Sequence, residues 1–214
     1  VEFPLAVHAH RATYEVQFGH LERPTHFNTS WDMARFEVCA QRWADLAETG
    51  FGVALLNDCK YGYACQGNVL RLSLLRGTSH PDPEADRGRH TFRYAVMPHA
   101  GPPQTAGVVA AAAAFNVPLL LTRGAAVGRE CFALDRDSVV LGTVKPAADG
   151  DGVILRLYEA AGGRCRVHLR SDLPVRSACV CNLLEDNGET IVWTAGRAVL
   201  EFTPFQVRTI RLRV

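Results

Sequence analysis

No apolar run in this 214-residue chain reaches the ~18 residues that a bilayer-spanning helix needs. The longest candidate, residues 107–121, is interrupted by Asn116 and Pro118. A charge excess is also missing. Lys and Arg number 23 against 22 Asp and Glu, a net charge of +1, whereas a dedicated nucleic-acid binder carries a basic stripe. No G-x-S-x-G elbow is present to strain a serine nucleophile. The seven cysteines are odd in number and irregular in spacing, and neither Cys59/Cys65 nor Cys179/Cys181 forms a C-x-x-C pair. That excludes a disulfide framework or a zinc knuckle and points to reduced thiols in a cytoplasmic setting. The chain has no initiator Met and no signal peptide. Val1 leads directly into residues 3–7, which already read as a strand, so the expectation is a piece of a longer protein.

What is present is ordinary for a packed globular chain: 48% hydrophobic and 21% charged residues. The length suits one large all-β domain or two smaller ones. Ala12, Tyr14, Val16 and Phe18 share one parity, the period of a half-buried strand. Residues 19–32 read as a connection dense in Pro, Thr and Asn, with Trp31 expected to cover a neighbouring surface. Phe36, Val38 and Ala40 alternate as a strand, although 33–46 also fits helical spacing. Residues 50–57 form a buried apolar run, and alternation resumes at 68–76 and at 92–96, where Pro98 is expected to end the strand. The polar loop 77–90 lies between those two strands, and loops that long are usually functional or disordered. Residues 106–115, rich in Ala, predict a short helix stopped at Asn116-Val117-Pro118. From residue 130 the pattern is β throughout. Strands are expected at 138–145, 153–159, 165–170, 176–184, 190–195, 198–202 and 206–214, punctuated by Gly-Asp-Gly and Asn-Gly turns. Short strands at that spacing indicate a β-sandwich.

The stretch 55–76, LLNDCKYGYACQGNVLRLSLLR, carries the densest chemistry. It reads as a buried strand, a polar turn and a returning strand, a hairpin edge. Asp58 could meet Asp86 or Glu84 as a glycosidase carboxylate pair, or could instead anchor the turn. Cys59 beside Lys60 is the one thiol with a basic neighbour, or a small strand residue. Tyr61 and Tyr63, with Asp58 and Lys60, suit sugar recognition by ring stacking and hydroxyl hydrogen bonds; the same rings could simply cap a hydrophobic edge with their hydroxyls wet. His8 and His10 share a parity and could ligate a metal, but no Asp, Glu or third His nearby completes a site.

Four long segments together carry a resemblance. These are GHLERPTHFNTSWDMARFEVCAQRWADLAETGFGVALLNDCKYGY (19–63), ADRGRHTFRYAVMPH (85–99), DGDGVILRLYE (149–159) and PFQVRTIRL (204–212). The chain resembles the C-terminal part of glycoside hydrolase family 38, and more narrowly the cytosolic-type α-mannosidases. The resemblance covers essentially the whole chain; the plain turn at Ala64-Cys65 and the Ala run 110–114 depart from it modestly. It implies an all-β chain, with a supersandwich or mutarotase-like β-sandwich portion followed by a smaller C-terminal one. Residues 1–104 would be part of the large β-sandwich domain, 105–129 a short helix and linker, and 130–214 the C-terminal antiparallel β-sandwich.

Such enzymes are retaining exo-α-mannosidases. The resemblance places their aspartate nucleophile, their acid/base and the ligands of their divalent metal, zinc, in an N-terminal domain outside these residues. No catalytic residue and no metal ligand is therefore assigned here, and the chain alone is expected to be inactive. The implied partners are a mannose-containing oligosaccharide and the N-terminal catalytic domain of the same polypeptide, which would dock on an exposed apolar patch. A homo-oligomer is allowed; nucleic acid and membrane are not expected. Loops 57–63 and 86–90 are the expected cleft walls, with Asp58, Lys60, Tyr61, Tyr63, Arg89 and His90 as substrate-binding candidates. The alternative is a free-standing carbohydrate-binding or mutarotase-like β-sandwich, for which His90 and Asp58 are the imaginable pair.

Overall fold

Alternation of apolar and polar residues puts successive side chains on opposite faces of a strand, and two such faces must meet to bury the apolar sets. A computed structural model describes residues 1–121, 123–124 and 130–214. Residue 122 and the end of the expected linker, 125–129, lie outside the described residues. The chain is nearly all β and divides into two units, Val1–Leu119 and Leu120–Val214.

The first unit contains β1 (Glu2–Pro4), β2 (Arg11–Val16), β3 (Gly19–Pro24), α1 (Ser30–Ala34), β4 (Val38–Cys39), β5 (Trp43–Glu48), β6 (Phe51–Asn57), β7 (Gly62–Gln66), β8 (Val69–Leu72), β9 (Tyr94–Ala100) and α2 (Val108–Asn116). A five-stranded antiparallel sheet in the order β3-β2-β5-β6-β9 faces a four-stranded sheet in the order β1-β8-β7-β4. Tyr14, Ala44, Leu46, Val53 and Leu55 from the first sheet pack against Tyr63, Cys65, Leu70 and Leu72 from the second. The opposite parity of β5 and β6, Trp43, Ala54 and Leu56, packs beneath Val108 and Ala112 of α2. Because both faces of β6 are covered, residues 50–57 read as a continuous apolar run rather than an alternating one.

Layering corrects the expected 55–76 hairpin. β6 belongs to the five-stranded sheet and β8 to the four-stranded one, so residues 58–61 are a crossover between layers. The actual hairpin is β7–β8, pairing Gln66 with Val69 and turning at Gly67 with φ 59°. Residues 19–24, expected to be a connection, form a strand. A turn at Phe18 with φ 60° folds them onto β2, where their intermediate polarity suits an edge position. In the 33–46 segment the expected alternating strand shrinks to Val38–Cys39, β5 begins at Trp43, and a single helical turn, Ser30–Ala34, runs into its start. Thr29 and Asp32 close a capping box there, with Asp32 N–H donating to Thr29 Oγ1 at 3.1 Å. Trp31, expected to cover a neighbouring surface, is 76% exposed. β9 also runs through Pro98, tolerated because β9 is an edge strand.

Beside α2 the outer face of the five-stranded sheet holds a buried polar pair. His99 Nε2 meets Asp45 Oδ2 at 2.6 Å, and His99 Nδ1 meets the Gly101 carbonyl at 3.0 Å. Gly52, paired with both Ala47 and His99, makes room for that ring: a Cβ there would lie 2.5 Å from His99 Cε1.

The second unit contains β10 (Phe132–Leu134), β11 (Val139–Pro146), β12 (Val153–Glu159), β13 (Cys165–Ser171), β14 (Ser177–Cys181), β15 (Asn187–Ile191), β16 (Arg197–Phe202) and β17 (Val207–Arg213). A three-stranded sheet, β10-β13-β16, packs on a five-stranded sheet, β11-β12-β17-β14-β15. Leu155, Leu157, Val167, Leu169, Leu200, Phe202, Ile210 and Leu212 form its core. The Gly-Asp-Gly turn joins β11 to β12, with Gly150 and Gly152 at φ 80° and 101°. Arg211, almost fully buried, ties that turn to another loop: Nη1 donates to Asp149 Oδ2 at 2.7 Å and Nη2 to the Glu185 carbonyl at 3.0 Å.

Candidate functional site

The crossover from β6 to β7 is organised by Asn57, the last residue of β6 and fully buried. Its Oδ1 accepts the backbone N–H groups of Cys59 (2.9 Å) and Lys60 (2.5 Å), the side-chain-to-backbone pattern that turns a chain sharply. Its Nδ2 donates to the Gln41 carbonyl at 2.9 Å and to the Tyr63 hydroxyl. Its own carbonyl accepts Asn116 Nδ2 at 3.0 Å, which fastens the end of α2 to the turn.

Around this hub the chain presents a cluster of cations and rings. Asp58 Oδ2 accepts Arg93 Nε at 2.9 Å, and the Arg93 guanidinium lies 5.1 Å from the Phe115 ring centroid. Lys60 Nζ lies 5.2 Å from the centroid of Phe92, within cation–π range. Tyr61, next to Lys60 in sequence, is 60% accessible. An exposed aromatic ring can stack on the apolar face of a ring-shaped ligand, and nearby cations can donate hydrogen bonds to its hydroxyls.

The expected site residues therefore separate. Asp58, Lys60 and Tyr61 share the crossover, with Asp58 on Arg93 and Lys60 on Phe92. Tyr63 does not join them. Its position on β7 turns it into the core between the sheets, it is fully buried, and its ring has no face left for a sugar. Arg89 and His90 are exposed on the polar loop, where His90 Nε2 bonds the Asp86 carbonyl at 2.8 Å, a contact internal to that loop. Asp86 and Glu84 are likewise engaged locally: Asp86 accepts the Gly77 N–H at 3.1 Å and Glu84 pairs with Arg87 at 2.6 Å. The residues that sequence reasoning passed over are Asn57, Phe92, Arg93, Phe115 and Asn116. The Asn-Asp dipeptide before the turn was a usable signal for the first; the others sit 35 or more residues away in sequence.

The Asp58 carboxyl is committed to an ion pair with Arg93. Hydrogen bonds from the Cys59 side chain and from Arg93 hold its carboxyl down at about 2, so it stays ionised at neutral pH. The Cys59 thiol is pushed up by partial desolvation and by the Asp58 carboxylate, away from the thiolate that nucleophilic attack requires. A depressed carboxyl contributes stability above its unfolded value of ~3.9 and loses it as pH falls through the folded value. The stability gap between the wild type and Asp58→Asn, measured by urea midpoint, is therefore expected to be full at pH 5 and to close as pH falls through about 2. A gap that stays constant down to that pH would show that the Asp58–Arg93 pair contributes nothing.

Among the described residues no three His, Cys, Asp or Glu side chains converge where a metal ion could sit. His8 and His10 line an open groove with Glu22, Glu48 and Gln104, where the His8 backbone N–H donates to Glu48 at 2.7 Å. All seven cysteines are unpaired. No helix among the described residues is long and apolar enough to cross a membrane.

Comparison with known proteins accounts for both units. Residues 1–84 match the glycosyl hydrolases family 38 C-terminal domain, and residues 138–210 match the glycosyl hydrolases family 38 C-terminal beta sandwich domain. The chain is 50% identical to alpha-mannosidase 2C1 of Homo sapiens over 99% of its own length and 21% of the relative's. It is 39% identical to alpha-mannosidase G of Dictyostelium discoideum and 35% identical to an alpha-mannosidase of Saccharomyces cerevisiae, covering 20% and 22% of those chains. It thus spans about a fifth of the length of the curated relatives it matches. In fold it is similar to the crystal structure of an alpha-mannosidase from Enterococcus faecalis, with a TM-score of 0.80 at 19% identity, over 99% of this chain and 25% of that one.

Proposed function

Because the chain belongs to glycosyl hydrolase family 38, whose C-terminal domains it carries, we propose that it is the C-terminal β portion of a retaining exo-α-mannosidase. The substrate class is terminal α-mannosides of oligosaccharides, and the setting is the cytoplasm. The observation that carries this reading is the 50% identity to alpha-mannosidase 2C1 across 99% of the chain. Bond cleavage, and the divalent metal that the family resemblance implies, are assigned to the upstream part of the polypeptide. Seven unpaired thiols suit a reducing compartment.

Within that enzyme the Lys60–Tyr61–Arg93 cluster supplies a wall of the substrate cleft. Tyr61 offers a ring face, Lys60 and Arg93 offer donors, and Asp58 holds Arg93 in place at 2.9 Å. The buried Asn57 keeps the crossover rigid, so these side chains are held for binding rather than ordered on contact. In the full-length polypeptide, Tyr61→Ala is expected to lower kcat/KM on a mannose oligosaccharide about tenfold, corresponding to about 1.4 kcal/mol, mainly through KM. Metal content measured on the same preparation should not change. Unaltered kcat/KM would remove this edge from the cleft.

A further inference from the structure

The five-stranded sheet of the first unit has an inner face that its partner sheet does not fully cover. On β9, Ala95 and Met97 take the outer parity and pack with the cluster under α2, and His99 reaches Asp45 on that same face. The other parity, Tyr94, Val96 and Pro98, pairs across from Asn57, Leu55 and Val53 of β6. Leu55 and Val53 are buried in the core between the sheets. One strand further out, on the same face, Tyr94, Val96 and Pro98 are exposed, and Phe51 at the far end of β6 is exposed with them. A sandwich normally covers the inner face of every strand, so this strip is an inner face lacking its second layer.

The position of β1 shows where that layer is missing. β1 is an edge of the four-stranded sheet, bonded to β8 and to no other described strand. Its Phe3 ring meets Tyr94 edge-on at 6.0 Å between centroids, which places β1 under the near end of the strip. A further strand bonded to the free edge of β1 would lie ~4.8 Å beyond it, in the layer ~10 Å from β9, beneath Val96 and Pro98. β9 itself is a poor edge for strand addition because Pro98 has no N–H to donate. Coverage therefore comes face-on, through extension of the sheet that contains β1.

We propose that the strip Tyr94–Val96–Pro98–Phe51 is covered by the stretch of the longer polypeptide immediately upstream of β1, folded as one or more strands that extend the four-stranded sheet. This rests on the reading of the chain as a C-terminal part, since the relatives are about five times longer and the matched domains are their C-terminal ones. Strands consecutive in sequence are usually neighbours in space, which favours the adjoining segment over a remote domain or a second copy.

The test uses the full-length polypeptide, with a photo-crosslinking amino acid at Val96 and peptide mapping by mass spectrometry. The expected crosslink falls within roughly the thirty residues before Val1, the reach of a hairpin or two. A crosslink to a distant upstream domain or to a second copy overturns the proposal. Should the bulky probe prevent folding, Val96→Cys provides a second readout. It is expected to react with a maleimide at least tenfold more slowly than Val192→Cys, at a position 80% accessible in the other unit. Equal rates overturn the proposal. A native polypeptide no longer than 214 residues would defeat the reading of the chain as a part. A long polypeptide whose Val96→Cys reacts freely would leave that reading standing and defeat this proposal alone.

Discussion

The isolated 214-residue chain, given an aryl α-mannoside, is expected to release no aglycone above the blank, while the full-length polypeptide turns it over. A retaining glycosidase needs two carboxyl groups about 5–5.5 Å apart, one ionised to attack and one protonated to donate. The most strongly engaged carboxyls of the first unit are committed elsewhere. Asp58 is held at about 2 by Cys59 and Arg93 and cannot serve as an acid at neutral pH. Burial pushes the Asp45 carboxyl up, in the direction of a general acid, but its side chain is 1% exposed against His99 and faces no cleft. Glu15 is spent on Arg42, bonding both its guanidinium and its backbone N–H. Metal-independent turnover by the isolated chain would overturn the proposed division of labour. So would a full-length polypeptide with no action on α-mannosides.

The second large effect lies in the C-terminal unit. Glu159→Ala is expected to destabilise that unit by about 3–5 kcal/mol, a large share of the ~5–15 kcal/mol that holds a domain folded. Glu159 ends β12, is 1% exposed, and accepts four backbone N–H groups: Ala161 at 2.9 Å, Gly162 at 2.8 Å, Gly163 at 3.1 Å and Phe205 at 3.1 Å. It thereby closes the Gly-Gly turn and pins it to the turn before β17. A buried donor left without a partner costs ~1–3 kcal/mol, so four of them outweigh the transfer of one carboxylate from water even after the loop relaxes. Glu159→Gln keeps one acceptor oxygen but sets an NH2 group against the remaining donors, and should fall between wild type and Ala. Urea unfolding of the variants, with hydrogen exchange at Gly162 and Gly163, checks this. A loss under 1 kcal/mol would mean that the turn holds itself.

Several features were legible because their causes are local. The alternation at 165–170 gave a strand with its apolar parity buried, whereas β2 came out buried on both parities, Thr13 and Glu15 along with Ala12 and Tyr14, and Phe18 is exposed beyond its end. Ala-rich 106–115 became α2, stopped at Asn116 as the following Pro118 requires. Gly150 and Gly152 took the left-handed backbone that their turn demands. The four long motifs pointed to the family, because composite matches of that length are hard to reach by chance.

Other features depended on contacts between residues far apart in sequence. Tyr61 and Tyr63 share a parity and looked equivalent, yet one is exposed and the other is sealed in the core. What separates them is that β7 begins at Gly62, so Tyr63 lies on a strand whose inner face is buried. Arg93, 35 residues from Asp58, joined the site only when β9 paired with β6. The buried Glu159 was one charge among 22 acidic residues until the folded chain aimed four N–H groups at it.

By itself, then, the sequence determined that the chain is a β protein of the family 38 type and where most of its strands and tight turns lie. Those properties follow from side-chain periodicity and from the conformational freedom of a few glycines, both local. Only the tertiary structure decided that the turn after Asn57 crosses between layers, which of its side chains are exposed and which are sealed in the core, and which strip of β9 lies exposed. Those outcomes follow from the pairing of distant strands, which a period of two along one strand cannot specify.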